Sequence, residues 1–565
     1  MNNEAKIAYF SMEIGLSNDI PTYSGGLGVL AGDTIKSGAD LKVPLVAVTL
    51  LSKKGYFRQD IDSDGRQIEY AVDWDPSKFM VCLPKKVVIQ IEGRNVYIQA
   101  WCYKVKSVTG GKVDVFYLDT DVEENVTEDR EITAVLYGGD MHYRLKQEIV
   151  LGIGGVRILH TLGLHIKKYH MNEGHASLLT LELLLMHKRD VESVWDERWI
   201  WDIEKVKGLC VFTTHTPIEA GHDRFSYDLV KKVLGEFVPL ELLKRLGGEH
   251  YLNMTHLALN LSKYVNGVAK KHGEVSKSLF PGYEINAITN GVHSFTWVCE
   301  SFKQLYDKYI PGWANEPELF VRSENIPDEE LWEAHLCAKC DLVDYVKKTA
   351  GVEISPDVLT IGFARRFTSY KRADLIFSNL ERFLKISKKG TFQIIYAGKA
   401  HPKDTPGKEI VKRIIDLTKK INDKIKIIFL KNYNMEMALR LVSGVDVWLN
   451  TPLRPREASG TSGMKAAHNG IINFSVLDGW WIEGHMEGIT GWSIGPKPLE
   501  SSLISVNDIT DAEDLYDKLE NIIIPMYYKD RSQWIKIMKN SIGKIAYYFN
   551  THSMMRRYVT EAYIR

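Results

Sequence analysis

Short β-branched runs alternate along this chain with longer stretches of helical periodicity, and that alternation limits the folds open to it. Candidate strands at residues 43–49, 208–213, 358–363, 392–397, 424–430 and 445–449 are separated by helical patterns such as 145–161, 177–188, 374–387 and 436–442. Strands that take turns with helices build βαβ units and parallel sheets. Residues 85–117 break the rhythm and read as an antiparallel excursion, with a turn at Gly110-Gly111.

A chain of 565 residues exceeds what one hydrophobic core organises. A seam falls near residues 290–297, a fresh series of strands starts near Val358, and residues 533–565 read as helical with no strand signal. The expected fold class is α/β, with two doubly wound Rossmann-like domains facing a cleft. Their expected extents are 1–296 and 297–535, with a helical tail at 536–565 packing back on the first domain. In open α/β sheets, ligands bind outside the carboxyl ends of the strands.

Bulk chemistry narrows the function classes. The formal net charge is zero, where a general nucleic-acid binder would show a basic excess or stripe. Met1 to Lys6 lacks the apolar core of a signal peptide, and the longest apolar stretches, such as residues 43–51, are too short to span a bilayer. Six scattered cysteines are not a disulfide framework. Cys337-x-x-Cys340 lies inside one amphipathic pattern, 328–348, and reads as buried or half-buried helix positions. These features lead us to expect a cytoplasmic protein with no membrane or nucleic-acid partner.

Two segments carry most of the chemistry. Glu457-Ala458-Ser459-Gly460-Thr461-Ser462-Gly463-Met464-Lys465-Ala466-Ala467 follows a strand and a loop with Arg454 and Arg456, and leads into a helix expected to begin near Met464. Small turn-forming residues there let backbone N–H groups approach an anion closely. Lys465 could reach that anion or condense with a carbonyl cofactor; alone, the segment reads equally as a helix start with one solvated lysine. In Gly362-Phe363-Ala364-Arg365-Arg366-Phe367-Thr368-Ser369-Tyr370-Lys371-Arg372 an apolar strand runs into four cations. Arginine forks at a strand end suit phosphate oxygens, although a solvated basic turn has the same composition.

Three further segments are less specific. Gly26-x-Gly28-x-x-Ala31 formally matches a dinucleotide fingerprint, but no clear strand leads directly into it. Tyr169-His170-Met171-Asn172-Glu173-Gly174-His175 and Phe212-Thr213-Thr214-His215-Thr216-Pro217-Ile218-Glu219 place polar groups just past strand ends, where a hydroxylated ligand would sit. His-Glu-x-x-His spacing is absent, so no metal is expected.

In order along nearly the whole chain, these segments resemble the glycogen/maltodextrin phosphorylase family of two-domain (GT-B) glycosyltransferases. Tyr9-Phe10-Ser11-Met12-Glu13, Arg144-Leu145-Lys146-Gln147-Glu148, Val265-Asn266-Gly267-Val268-Ala269, Thr289-Asn290-Gly291, Gly398-Lys399-Ala400 and Asn432-Tyr433 join the resemblance. The Glu-Ala-Ser-Gly-Thr-x-x-Met-Lys segment, 457–465, is its most specific part.

The resemblance implies α-1,4-glucan phosphorolysis with retention, releasing α-D-glucose 1-phosphate. It implies pyridoxal 5′-phosphate held covalently on Lys465, its phosphate group relaying a proton. Arg365, Lys371, Thr461 and the Gly460 backbone would hold the cofactor phosphate, and Arg366 would clamp the substrate phosphate. Tyr433 and Trp297 would line the cofactor ring. Asn290, His215, Glu457, Ser459 and the Gly26 backbone would read the glucosyl unit, with Glu13 shaping the pocket base. Arg144, Glu173, His175 and Glu219 fall on the glucan acceptor side, and dimerisation is a family expectation.

The sequence departs from the family pattern in places. Thr368-Ser369 stands where His-Glu is usual, Ser462-Gly463 where Gly-Asn is usual, and Trp480-Trp481 follows Leu477-Asp478-Gly479 in place of Ala-Asn. The short stretch before Tyr9 leaves no room for a long regulatory extension, so control by phosphorylation or AMP there is not expected. A nucleotide-sugar-dependent glucan synthase would share the architecture but has no use for the Lys465 signature. An aminotransferase-like pyridoxal enzyme has another fold, and a non-catalytic glucan-binding protein would not need both the lysine and the cations.

Overall fold

The strand Leu45–Leu50, Leu-Val-Ala-Val-Thr-Leu, is buried along its whole length, as a strand covered on both faces must be. It belongs to a nine-stranded sheet, in a computed structural model that describes residues 6–190, 199–421, 423–496 and 508–564. Across that sheet the order is Asn286–Ala287, Tyr264–Gly267, Cys210–Thr213, Lys168–Asn172, Ile7–Ser11, Leu45–Leu50, Lys112–Asp119, Arg94–Lys106, Val81–Ile91. The first seven strands run parallel. The last two add antiparallel, as the excursion over 85–117 requires. One of its turns is at 107–111, where Ser107 N donates to Gly111 O at 2.9 Å. The other, at Glu92-Gly93, is a tight turn with both residues at positive φ.

The chain enters this sheet at its centre, through Ile7–Ser11, winds out to one side, then returns to build the other from Lys168–Asn172 outward. The winding direction therefore reverses between these two strands, and such a switch point opens a crevice at their carboxyl ends.

A second, six-stranded sheet is wholly parallel, in the order Lys426–Leu430, Phe392–Ala397, Leu359–Ala364, Val447–Asn450, Ile472–Val476, Gly491–Ile494. Its winding reverses between Leu359–Ala364 and Val447–Asn450. Both are fully buried strands, each followed by one of the two segments singled out in the sequence. The α/β class with two doubly wound sheets is thus realised.

The chain divides into two compact units. The first comprises Met1–Phe57, Ala71–Ile288 and Met554–Arg565; the second comprises Arg58–Tyr70 and Thr289–Ser553. The division lies at Ile288/Thr289, ahead of the seam at 296, and only the end of the helical tail joins the first unit. That end is held by a buried polar network rather than by apolar packing alone. Thr213 Oγ1 donates to Asn266 Oδ1 at 2.9 Å, so it accepts from His170 Nε2 at 2.8 Å. The other ring nitrogen, Nδ1, then accepts from the Tyr563 hydroxyl at 2.7 Å. Burial holds the His170 imidazole down to about 3, so it is neutral.

The antiparallel pair Arg58–Ile61 and Gln67–Tyr70 belongs with the second unit through two buried glutamines. Gln59 Nε2 donates to Gly398 O at 2.8 Å, and its Oε1 accepts from Asn432 N at 2.9 Å. Gln67 Nε2 donates to Ala400 O at 2.9 Å and its Oε1 accepts from Ala400 N at 2.9 Å. The hairpin thereby fixes the loops that carry Lys399 and Tyr433.

Two local expectations are corrected. Cys337 and Cys340 are exposed, not buried: the helix Asp328–Ala350 turns Leu331, His335, Ala338, Lys339, Leu342 and Val346 inward, and both thiols fall on the opposite face. The helix carrying Lys465 is Ser462–Ala467, starting before Met464 because Ser462 and Gly463 already take helical geometry. Among the described residues no helix is long and apolar enough to cross a membrane.

Candidate active site

In the first unit, Glu13 leaves the central strand and turns its carboxylate onto the glycine-rich loop. It accepts from Ser24 N at 2.5 Å, Gly25 N at 3.2 Å and the Tyr137 hydroxyl at 2.9 Å. Gly28 is required by this approach, since a Cβ there would lie 2.6 Å from Glu13 Oε2. The helix Gly26–Asp40 then starts with its first residue against the fixed loop. Burial raises the Glu13 carboxyl above its usual range despite these donors.

Across the switch point, the strand Lys168–Asn172 ends on Asn172 and Glu173. Glu173 sits at φ 76°, a left-handed conformation that strains a residue with a side chain. Its carboxylate accepts from Gly174 N, His215 N and Thr216 Oγ1 at 2.9, 2.8 and 2.8 Å. His215 Nε2 donates to Asn172 Oδ1 at 2.6 Å, and burial holds its imidazole at about 3. His215 is therefore neutral, with Nδ1 left as an acceptor.

Behind these groups lies a charged cluster. Arg144 Nε donates to Glu148 at 3.0 Å and its Nη2 to Asp223 at 3.0 Å, while the guanidinium covers the Tyr137 ring at 4.7 Å. His175 Nε2 is 3.5 Å from Asp223, and the buried His175 Nδ1 has no hydrogen-bond partner among the described residues. Glu219 is exposed and paired to Arg224 at 2.7 Å, apart from this cluster.

In the second unit, Arg365 follows the strand Leu359–Ala364. Its Nη1 donates to Asn450 Oδ1 at 2.9 Å and its Nη2 to Glu457 Oε2 at 2.7 Å; Lys371 Nζ reaches the same oxygen at 2.5 Å. Burial works against the Glu457 charge, but the two cations hold its carboxyl at about 2. Among the described residues Arg365 Nε, which is buried, has no partner. Arg366 is exposed, and together with burial it holds the neighbouring His401 imidazole below its usual range. Tyr433 is half-buried beside Asn432.

Lys465 is buried with its Nζ 3.8 Å from the Trp297 ring centroid. Thr461 O accepts from Lys465 N at 3.1 Å, so the 460–461 turn and the lysine form one piece. Ser459 is buried beside it. Asn290 is also buried, its Oδ1 with no partner among the described residues, next to Thr289, whose hydroxyl donates to Glu483 at 3.0 Å.

A family model described as carbohydrate phosphorylase matches residues 238–488. Maltodextrin phosphorylase of Thermococcus litoralis is 43% identical, over 99% of this chain and 70% of its own length. The chain belongs to the carbohydrate phosphorylase family. Glycogen phosphorylases of Aquifex aeolicus and Mycobacterium tuberculosis are 38% and 35% identical over 99% of this chain, covering 86% and 70% of their own lengths. Membership agrees with the two doubly wound sheets, the GT-B class expected from the resemblance.

Against that family background, the second sheet gathers Arg365, Lys371, Glu457, Ser459, Gly460, Thr461, Lys465 and Trp297. The first gathers Glu13, Gly26, Arg144, Glu173, His175 and His215. The sequence reading missed Asp223, Tyr137 and Asp478. Asp478 could have been found by the signal that drew attention to Glu173, a polar residue just past an apolar strand.

Proposed function

We propose that the chain is an α-glucan phosphorylase, transferring the non-reducing terminal glucosyl unit of glycogen or maltodextrin to inorganic phosphate with retention of configuration. The product is α-D-glucose 1-phosphate, and pyridoxal 5′-phosphate is held on Lys465. One observation carries this reading: a buried lysine lies over an indole face, in the same unit as two cations that converge on one carboxylate oxygen.

The donor set fits a phosphate monoester. Glu457 Oε2 marks a position where an anionic oxygen is shared by Arg365 and Lys371, and Arg365 Nε is a further buried donor with no partner among the described residues. The Trp297 face suits a flat heteroaromatic ring. Arg365, Lys371, Thr461 and the Gly460 backbone would hold the cofactor phosphate, with Tyr433 and Trp297 along the ring. When bound, pyridoxal phosphate supplies a phosphate group that can take and return a proton.

Arg366 would clamp the substrate phosphate. Anions gathered in a poorly solvated site repel strongly, which is why the cations are concentrated here. The substrate phosphate gives its proton to the glycosidic oxygen and the C1–O bond breaks. A phosphate oxygen then bonds to C1 on the same face, so the anomeric configuration is kept. His215, neutral with an open Nδ1, would accept from a sugar hydroxyl instead of supplying the proton. Asn290, Ser459, the Gly26 backbone and Glu457 would read the other hydroxyls of the glucosyl unit. Glu173, His175 and Arg144 stand on the glucan side, and Glu219 could touch only a longer chain.

Borohydride reduction followed by peptide mass spectrometry, with an assay of phosphate-dependent glucose 1-phosphate release from maltodextrin, tests the reading. A pyridoxyl mass on Lys465, and activity that Lys465→Ala abolishes, are expected. Unmodified Lys465 with glucosyl transfer only from a nucleotide sugar would overturn it.

A further inference from the structure

We propose that Asp478 is a positioning residue for this site: it clamps the backbone of Glu457 so that the Glu457 carboxylate meets Arg365 and Lys371. The proposal rests on the reading of Glu457 as part of the sugar and phosphate site, and Asp478 acts only through it.

Asp478 lies just past the strand Ile472–Val476, the neighbour of Val447–Asn450 in the sheet. Its two carboxylate oxygens have separate tasks. Oδ2 accepts from Glu457 N at 2.9 Å, and Oδ1 accepts from Gly479 N at 2.9 Å. Two residues on, Trp480 N donates to Ser459 O at 3.0 Å. The tripeptide Glu457-Ala458-Ser459 is therefore fastened at both ends to the turn 478–480. The turn can lie this close because residue 479 is glycine. Its φ is 54°, and a Cβ there would stand 2.3 Å from Ser459 O.

Both oxygens must accept for the clamp to close. Protonation turns one of these oxygens into a hydroxyl, a weaker acceptor whose own hydrogen needs a partner, so one of the two amide bonds is weakened. Asp478 is buried, and the charged groups that face it are Glu457, which disfavours its ionisation, and Lys371, which favours it. Burial first, then the Glu457 charge, push its carboxyl up to about 7, against the two amide bonds and Lys371. The clamp accordingly closes as pH rises through neutrality.

The test compares kcat and KM of wild-type holoenzyme, Asp478→Asn and Asp478→Glu in phosphorolysis, from about pH 5.5 to 8.5. Asp478→Asn keeps the shape but offers an amide N–H to one of the donors. We expect its kcat to fall by about tenfold to a hundredfold, the cost of a misplaced group. Its acid limb near neutrality should flatten relative to wild type, and Asp478→Glu should restore that limb. Substrate phosphate titrates equally in all three, so the difference between profiles reports Asp478.

Amide hydrogen exchange of the wild-type protein needs no variant to fold. After correction for intrinsic rates, protection over residues 457–459 should drop as pH falls below neutrality. An Asp478→Asn profile matching wild type in kcat and acid limb overturns the proposal, as does protection that ignores pH. If the wild-type protein releases no glucose 1-phosphate at all, the functional reading fails instead, and exchange still judges the clamp.

Discussion

Asn469 binds Trp297 and Lys465 with one side-chain amide: its Nδ2 donates to Trp297 O at 2.7 Å and to Lys465 O at 3.1 Å. The indole and the lysine, 168 positions apart in the sequence, are thus fixed by a shared donor, with the ammonium 3.8 Å from the ring centroid.

This geometry separates packing from chemistry. Trp297→Ala empties a buried site and should cost about 3–5 kcal/mol. Trp297→Phe keeps an aromatic face and should cost less, with pyridoxyl labelling of Lys465 retained in part. Denaturant midpoints and the labelled fraction after borohydride reduction check both. Equal labelling in wild type and Trp297→Ala would show that the ring does not position the lysine.

Glu457 gives a second prediction. Its carboxylate occupies the position shared by Arg365 and Lys371, so an incoming phosphate competes with it. Glu457→Gln removes that competitor and leaves the buried Lys371 and half-buried Arg365 short of an anion. Inorganic phosphate should then raise the melting temperature of Glu457→Gln more than that of wild type, while kcat falls about a hundredfold or more. A smaller phosphate effect in the variant would contradict the competition. Because the folded value is held down at about 2, the carboxyl stabilises the wild-type fold above the ordinary glutamate range. That contribution disappears as pH falls toward 2.

The sheets were legible because their strands are continuous apolar runs, which only burial on both faces explains, and residues 392–397 coincide with the observed strand Phe392–Ala397. The residues at the two switch points were legible because charged or glycine-rich segments follow such runs, directly or after a short loop. Asp223 and Asp478 were not. Asp223 acquires its meaning from Arg144, 79 positions away, and Asp478 from the backbone of Glu457, and no local pattern encodes either partner. The pair Arg58–Ile61 and Gln67–Tyr70 was missed because polar glutamines read as solvated. They are buried here because backbone groups of distant loops satisfy them. The exposed thiols of Cys337 and Cys340 show the opposite error, since apolar character alone does not say which helix face turns inward.

A buried charged hub in the second unit gives a stability prediction. Asp446 accepts from His335 Nε2 at 2.8 Å, Lys339 Nζ at 2.6 Å and Thr360 N at 2.6 Å. Burial would raise its carboxyl, but Lys339 and His335 hold it below the usual range, and burial holds the His335 imidazole down as well. Both folded values lie below the unfolded ones. Each group therefore stabilises the fold above its unfolded value, near 6.5 for His335 and 3.8 for Asp446, and loses that contribution as pH falls. Asp446→Asn leaves the Lys339 ammonium buried without its counter-charge and should cost about 3–5 kcal/mol at neutral pH. The variant should also lose part of the wild-type decline in denaturant midpoint toward acid pH. A variant with wild-type midpoints would remove Asp446 from the account of stability.

Arg144 tests the first unit by the same logic with the opposite trend. One cation serves two carboxylates, and they divide their roles. Burial and the Asp223 charge raise Glu148 well above its usual range; Asp223 is held at about 2 by Arg144 in spite of burial. Arg144→Met would leave the half-buried Asp223 charge without its main counter-charge, a loss of about 1–3 kcal/mol at neutral pH. In wild type the Asp223 contribution is present above the ordinary aspartate range and is lost only as pH falls toward 2. In the variant Asp223 takes up a proton more readily, which relieves the unpaired charge. The deficit of Arg144→Met should therefore be largest at neutral to alkaline pH and shrink on acidification, a trend that denaturant midpoints at two pH values would reveal. Because His175 Nε2 lies 3.5 Å from Asp223, the same variant should raise KM for maltodextrin more than it lowers kcat. A deficit independent of pH would mean that Arg144 contributes packing over the Tyr137 ring and not its charge.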